Sequence, residues 1–210
     1  MAGVSELTHP ALPFPLRAQG TKACTFELDD KGLRVTGEAR SDLFVDPSGE
    51  GGAAPEAGYL VGAPPLGDFT LTARATVPFA SVFDAGVLLV HAGPERFAKL
   101  CFELSPQRKP MAVTVVTRGT SDDSNAFTVE QGDSLWLRVS RVGRAWAFHA
   151  SLAGAWWLML RYFTLGESAE QAGGVQVGFL AQSPTGEGVE VLFDEIAYTE
   201  GAPEDLRDGS

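Results

Sequence analysis

Basic residues are scarce in this chain of 210 residues. It carries 16 lysines and arginines against 27 aspartates and glutamates, which gives a formal net charge of −11. No basic stretch is interleaved with aromatic residues, as a nucleic-acid-binding surface would require. An acidic protein is repelled at long range by polyanions. The composition therefore argues against nucleic acid and anionic membrane surfaces as partners.

Cysteine and histidine are also rare, with two cysteines and three histidines in the chain. Neither occurs at the spacing of a metal site, and we predict no metal and no cofactor. Cys24 and Cys101 lie in strand-like stretches and are expected to be free thiols. No apolar run approaches the roughly 18 residues that cross a bilayer. Residues 1–15 lack the basic start and apolar segment of a signal peptide, which predicts a cytoplasmic protein.

Alternation of apolar and polar residues is the main feature that the chain does have. Residues 96–105 show it best, because successive side chains of a strand point to opposite faces. One side of this strand is apolar and is expected to face a core: Ala98, Leu100, Phe102 and Leu104. The other side carries a cation and an acid between an aromatic ring and a thiol: Phe97, Lys99, Cys101 and Glu103.

About a dozen such strands are separated by turns rich in Gly, Pro and Asp, a pattern typical of an antiparallel β-sandwich or jelly roll. Helical patterns are nearly absent, and residues 166–173 have room for one helical turn at most. The polar stretch 120–125 is expected to be a loop. We predict a single all-β domain over residues 1–210. Residues 1–20 would form an extended arm, and residues 203–210 a frayed acidic tail.

Several short motifs, in this order and spacing, resemble a bacterial YesU-like and fungal regulation-of-enolase-like family of unknown function. The resemblance covers residues 40–200, and these motifs carry it: Ser41-Asp42-Leu43-Phe44, Asp84-Ala85-Gly86, Lys99 with Glu103, Val115-Val116-Thr117, Ser121-Asp122-Asp123-Ser124, residues 136–141 from Trp136 to Arg141, Trp157 with Arg161, and Gly178-Phe179 with Ser183-Pro184. It implies a concanavalin A-like lectin/glucanase jelly roll with one concave sheet. Genes of the family often lie near sugar-metabolism genes, and one fungal member is linked to the regulation of enolase. Asp123 departs from the pattern, because the family usually has an aromatic residue there.

Candidate ligand-binding residues recur on one side of several strands. Trp136 and Arg138 share a strand face, and a ring beside a guanidinium suits a sugar, whose apolar face stacks on aromatic rings. The alternation of residues 156–161 places Arg161 with Trp157, opposite an apolar set that looks like core. We predict a ligand site on the concave sheet, and six residues would form it: Asp42, Lys99, Glu103, Trp136, Arg138 and Arg161. Two non-functional alternatives remain open. Lys99 and Glu103 would lie on a solvated outer face, and Trp136 would be buried under a loop with Arg138 in a structural ion pair.

Other polar residues have less specific patterns. Asp42, Asp84, Asp122 and Asp123 are either cleft residues, calcium ligands or turn residues, but no Asp-x-Asp-x-Asp loop supplies the oxygens that calcium needs. His149 is more typical of a structural histidine than of a base. A glycosidase needs two carboxylates about 5–10 Å apart, and the Glu-x-Asp-x-Glu strand signature of glucanases is missing.

Three functions are compatible with these observations. The first is a non-catalytic binding module for a carbohydrate or a small polar metabolite. The second is a sugar-active hydrolase or isomerase in which Glu103 is the acid or base. The third, which the resemblance alone implies, is a regulatory module that binds a protein linked to enolase. A homodimer through a sheet edge is compatible with the fold, although no residue argues for it.

Overall fold

The computed structural model describes residues 6–50, 56–166 and 174–210. These residues form fifteen β-strands: β1 (Glu6–Leu7), β2 (Leu16–Gly20), β3 (Cys24–Asp29), β4 (Gly32–Glu38), β5 (Gly58–Gly62), β6 (Phe69–Thr76), β7 (Ala85–His91), β8 (Arg96–Leu104), β9 (Pro110–Arg118), β10 (Thr120–Thr128), β11 (Ser134–Val142), β12 (Ala145–Ser151), β13 (Leu158–Phe163), β14 (Gln176–Gln182) and β15 (Gly188–Glu200). The one helical turn considered for residues 166–173 falls almost wholly outside the described residues. Within the described ranges, no helix has the length and apolar character needed to span a bilayer.

The strands form two antiparallel sheets. The larger sheet has eight strands in the order β1-β2-β5-β14-β7-β8-β9-β10, and the smaller has seven in the order β13-β12-β11-β6-β15-β4-β3. The main core lies between them, where one side of each strand is apolar. In β8, for example, Ala98, Leu100 and Phe102 face this core. The predicted antiparallel sandwich is therefore confirmed.

A second apolar cluster covers the outer face of the eight-stranded sheet, on the side away from the main core. Phe97 and Cys101 of β8 belong to it, as do Val113 and Val115 of β9. The alternation in β8 correctly divided these residues from those of the main core. An outer face this apolar has to be covered, because exposed apolar area costs about 25 cal/mol per Å².

Residues 39–46, which we call the strap, cross this outer face. The strap begins beside the end of β14, where Ala39 and Ser41 form bridges with Ser183. It ends beside β10, where the Val45 amide donates to Ser121 Oγ at 2.9 Å and the Ser121 amide donates to the Val45 carbonyl. Leu43 is buried in the outer cluster. The strap therefore turns an open sheet face into a partly covered one.

Three predictions of local structure are wrong. Residues 120–125 belong to strand β10, which pairs with β9 from Thr120 to Thr128. The loop prediction depended on the lack of apolar alternation in this stretch. A polar strand at a sheet edge lacks that alternation too. Of the arm predicted for residues 1–20, residues 6–20 are described, and they are more than an arm because β1 and β2 extend the edge of the eight-stranded sheet.

The third is the tail at residues 203–210, which is docked rather than frayed. Arg138 Nη1 donates to the Gly209 carbonyl at 2.6 Å, and His149 Nε2 donates to the Leu206 carbonyl at 2.8 Å. The Arg138 guanidinium also lies 3.8 Å from the centre of the Trp157 ring. Burial is the main reason that the pKa of His149 is lowered. A neutral His149 therefore has a structural role beneath the tail.

Replacing Gly209 by alanine should release the tail. Gly209 has φ of +76°, and an added Cβ would lie 2.6 Å from the Trp157 Cβ. We expect a loss of about 1–3 kcal/mol, measured as a lower melting temperature. The matched control is Gly201→Ala, because Gly201 also has positive φ, +91°, but an added Cβ meets nothing within 4 Å. Equal melting temperatures for the two variants would show that the contact with Trp157 does not matter.

Candidate functional site

The candidate site is a cavity of about 350 Å³ on the outer face of the eight-stranded sheet, beneath the strap. This volume is at the lower end of the range for small-molecule pockets, roughly 300–1,000 Å³. Its lining is apolar with a few polar groups: Asp42, Phe44, Phe83, Lys99, Glu103, Pro106, Met111, Val113, Val115, Asp123, Asn125 and Gln182. A mainly apolar pocket with a few placed polar groups is the usual form of a ligand site.

Among the described residues that line the cavity, Lys99 is the only cation, and its side chain is 2% exposed. Its neighbours across the sheet are Leu89 of β7 and Val115 of β9. Its ammonium group donates to Asp42 Oδ1 and to Gln182 Oε1, both at 3.0 Å. Burial is the largest single effect and would lower the pKa of Lys99. The charges of Asp42, Cys101 and Glu103 and the hydrogen bond to Asp42 together outweigh it, and the pKa lies above its ordinary value. Lys99 is therefore a buried cation at neutral pH.

Glu103 follows Lys99 by four residues on the same side of β8, and it is 8% exposed. Among the described residues, no side chain or backbone group forms a hydrogen bond or ion pair with its carboxylate. Burial raises the pKa of Glu103 to about 7; the charge of Lys99 opposes this shift, and Asp42 and Asp123 reinforce it. Glu103 is therefore a buried carboxyl group that changes protonation near neutral pH and faces a cavity.

One residue of the cavity wall, Phe83, has a strained backbone conformation. Phe83 has φ of +69°, a region that aromatic residues rarely occupy. Its amide donates to the Leu104 carbonyl at 2.8 Å, which ties the strained residue to the end of β8. Strained residues held in this way often mark binding sites.

Three of the six predicted site residues are together in the cavity: Asp42, Lys99 and Glu103. Trp136 and Arg138 are in β11, which belongs to the seven-stranded sheet. They point away from the main core, so they lie on the opposite side of the sandwich from the cavity. The prediction that all six residues share one face is wrong. Parity along a strand tells which side of its own sheet a residue occupies, but not which sheet contains the strand.

Arg138 and Trp136 have structural contacts in this position. Arg138 stacks on Trp157 and holds the tail. Trp136 has Arg74 at 5.8 Å from its ring centre and Gly154 packed against the ring. The structural alternative considered for this pair therefore describes their contacts better.

Arg161 is in β13, at the edge of the seven-stranded sheet. It donates to the Asp122 carboxylate and to the Asp122 carbonyl of β10, at the edge of the other sheet. The ion pair joins the two sheets at their rims and lies outside the cavity lining. Trp156 and Leu158, which looked like core, are 71% and 41% exposed. Arg161 therefore does not reach the predicted cleft.

The aspartates considered for metal binding have different environments. Asp84 is fully buried and accepts hydrogen bonds from Ser183 Oγ and from the amides of Ala80 and Ser81, so it stabilises a turn. Asp122 pairs with Arg161, and only Asp42 and Asp123 line the cavity. No group of three or more His, Cys, Asp or Glu side chains in the described part of the chain is arranged to hold a metal ion.

Several lining residues are absent from the set predicted from the sequence: Phe44, Phe83, Asn125 and Gln182. Phe44 is part of a quoted motif, so the family pattern contained a signal for it. Asn125 lies two residues after Asp123 on the same side of β10, but the polar composition of residues 120–125 predicts a loop there. Gln182 ends β14 on the side opposite to the core residue Ala181, which would have placed it on the outer face. Phe83 precedes β7 and carries no pattern.

Comparison with solved structures places this fold among known β-sandwiches. A functionally unknown protein from Saccharomyces cerevisiae is similar, with a TM-score of 0.73 and 21% identity over 87% of this chain and 97% of that one. The GH43 BlXynB protein from Bacillus licheniformis has a TM-score of 0.65 and 15% identity, over 84% of this chain and 35% of that one. The carbohydrate-binding module CBM66 from Bacillus subtilis has a TM-score of 0.54 and 11% identity, over 88% and 95%. At these identities the likeness shows a shared fold.

Comparison by sequence gives the family. A search of curated proteins found no match. The model of a family described as protein of unknown function, DUF1349, matches residues 21–201, which is most of the chain. The match does not extend to the finer YesU-like and enolase-linked naming that the motifs implied. The chain belongs to the DUF1349 family.

Proposed function

We propose that this protein is a non-catalytic binding module that holds a carbohydrate or a small polar metabolite in the cavity beneath the strap. The observation that carries the proposal is Glu103, a buried carboxyl group without a hydrogen-bond partner among the described residues, beside the buried cation Lys99. Burying a charge without a partner costs several kcal/mol. A ligand hydroxyl group would supply the missing hydrogen bond.

The rest of the lining supports a sugar-sized ligand. Phe44, Phe83 and Met111 give apolar surface to a cavity that also contains carboxylate, ammonium and amide groups. Sugar rings have apolar faces and polar edges, and they need this combination of stacking and hydrogen bonding. The fold is also shared with a module whose name states that it binds carbohydrate. That likeness supports the proposal without identifying the ligand.

A thermal-shift screen followed by calorimetry tests the proposal, using sugars, sugar acids and sugar phosphates. A ligand that binds only the native state raises the free energy of unfolding, by about 2.7 kcal/mol at a hundredfold excess over the dissociation constant, and the melting temperature rises with it. Glu103→Gln and Lys99→Met should each weaken binding about 10-fold or more, because hydrogen bonds to charged groups contribute about 1.5–3 kcal/mol. For the wild type and for each variant, the shift caused by ligand is measured from the melting temperature of that same protein without ligand.

The seven-stranded sheet supplies the control. Trp136→Ala combined with Arg138→Ala should leave affinity unchanged although it weakens the tail contacts, since both residues lie on the opposite side of the sandwich. The proposal would be overturned if the double variant lost affinity while Glu103→Gln kept the affinity of the wild type. A panel without any binding would also contradict it and would favour a protein partner, as the enolase-linked resemblance implies.

The second candidate function is a sugar-active hydrolase or isomerase with Glu103 as acid or base. A carboxyl group with a pKa of about 7 is suited to proton transfer at neutral pH, and Asp42 and Asp123 supply the neighbouring carboxylates. Asp42 is, however, bound to Lys99. Turnover of any bound sugar by the wild type, lost in Glu103→Gln while binding persists, would favour this function over simple binding.

A further inference from the structure

The charges that line the cavity are unbalanced. The described part of the lining has three carboxylates, Asp42, Glu103 and Asp123, and a single cation, Lys99. The pKa of Glu103 responds to the charges of both aspartates, which places each of them within electrostatic reach of Glu103. A cleft lined by charges of one sign concentrates counter-charge.

Lys99 does not offset this excess for a ligand, because its charge is already paired within the protein. Its ammonium group donates to Asp42 Oδ1 at 3.0 Å and to Gln182 Oε1 at 3.0 Å. Two of its three protons are therefore used, and the nearest negative charge is that of Asp42. The Lys99–Asp42 pair is close to neutral as a unit.

Glu103 and Asp123 are left without a partner cation in the described part of the chain. Glu103 is 8% exposed and faces the cavity, whereas Asp123 is exposed in the edge strand β10. A buried carboxylate of this kind gains most from a ligand that brings a positive charge, since a charged hydrogen bond is roughly twice as strong as a neutral one. An acidic ligand would meet repulsion from both residues.

The aromatic lining also favours a cation. Phe44 and Phe83 are both in the cavity wall. The face of an aromatic ring attracts ammonium groups within about 6 Å of its centre. Apolar walls around a charged group also lower the local dielectric constant, which strengthens the attraction between a bound amine and Glu103.

We infer, on the basis of the proposed function, that the ligand of this cavity carries a protonated amine, as amino sugars do, rather than being a neutral or acidic sugar. Glu103 would accept a hydrogen bond from the ammonium group at the base of the cavity. Asp123 would add attraction at the rim. The hydroxyl groups of the same ligand would meet Asn125, Gln182 and the remaining proton of Lys99.

Calorimetry at pH 7.0 and low salt tests this inference with four matched compounds: D-glucosamine, N-acetyl-D-glucosamine, D-glucose and D-glucuronate. The same four chemical forms in the galactose series allow for a different ring stereochemistry. We expect the free amine to bind at least 10-fold more tightly than the neutral sugar and the acid to bind most weakly. The preference for the amine should shrink as salt is raised from 0.01 M to 0.5 M, because salt screens charge interactions.

Glu103→Gln should remove the charge preference by reducing amine affinity at least 10-fold more than neutral-sugar affinity. The control is Glu27→Gln, an exposed glutamate of edge strand β3 in the other sheet, which should leave the ratio unchanged. Neutral or acidic sugars that bind as tightly as amines would overturn this inference and leave the binding function intact. If no sugar of any charge binds, the proposed function is wrong and the inference with it.

Discussion

Replacing Glu103 by glutamine should stabilise the fold at pH 8 while weakening ligand binding. Glu103 is 8% exposed, and its pKa rises from 4.5 to about 7 on folding, mainly because of burial. At a pH above both values this shift corresponds to about 3 kcal/mol of lost stability, which glutamine would restore. A domain of this size should then melt roughly 5–10 °C higher.

The raised pKa of Glu103 determines the direction in which stability changes with pH. A glutamate with a raised pKa binds its proton more tightly in the folded state than in the unfolded state. Its contribution to stability is complete below pH 4.5 and is lost as the pH rises through about 7. The wild type should lose stability across this window relative to Glu103→Gln. Melting curves from pH 4 to pH 8 measure the difference.

The exposed glutamate Glu27 is again the control. Glu27→Gln should change stability by less than about 0.5 kcal/mol at every pH, as surface substitutions usually do. If Glu103→Gln followed the wild type at all pH values, Glu103 would not be buried as a carboxylate. A stabilising change that also reduces binding would fit the common trade-off between stability and function at binding sites.

Part of the site could be predicted from the sequence because strand alternation is a local property. The alternation of residues 96–105 predicts Lys99 and Glu103 on the mixed side of one strand, and Phe97 and Cys101 share that side in the structure. Asp42 belongs to a motif of the family that the sequence resembles. These assignments require only the period of a strand and a short stretch of chain.

The rest of the site depends on contacts between distant parts of the chain. Trp136 has the correct outward parity, but its strand belongs to the other sheet, and parity carries no information about sheet membership. Phe83 lines the cavity because of its backbone conformation, φ of +69°, which its residue type argues against. The tail is held by Arg138 and His149, which lie 71 and 57 residues away from their partners.

Lys99→Met should be the most damaging single change in the cavity. Methionine would keep the packing of the lysine stem against Leu89 and Val115 but would remove the charge. Asp42 would then lose its ion pair and Gln182 its donor at 3.0 Å. Breaking a buried pair typically costs about 3–5 kcal/mol. Because the Asp42 side chain is 36% exposed and can be hydrated, we expect about 2–4 kcal/mol, measured by urea denaturation.

Two further variants separate the charge effect from a packing effect. Lys99→Met combined with Asp42→Asn should recover part of the loss, because no unpaired carboxylate remains at residue 42. Lys109→Met removes an exposed lysine beside the start of β9 and should change stability by less than about 0.5 kcal/mol. A double variant no more stable than Lys99→Met would show that lost packing, rather than the broken ion pair, causes the effect.

Lys99 and Glu103 should also be coupled, since the charge of Lys99 lowers the pKa of Glu103 against the effect of burial. When Lys99 is replaced by methionine, the ionised Glu103 loses its nearby cation and becomes more costly to bury. Glu103→Gln should therefore stabilise the Lys99→Met protein at pH 8 more than it stabilises the wild type. A double-mutant cycle measures this difference, and residues in one charge network typically give about 0.5–3 kcal/mol. Equal effects in the two backgrounds would mean that Glu103 does not sense Lys99, and the two residues would then be independent parts of the cavity rather than one charged site.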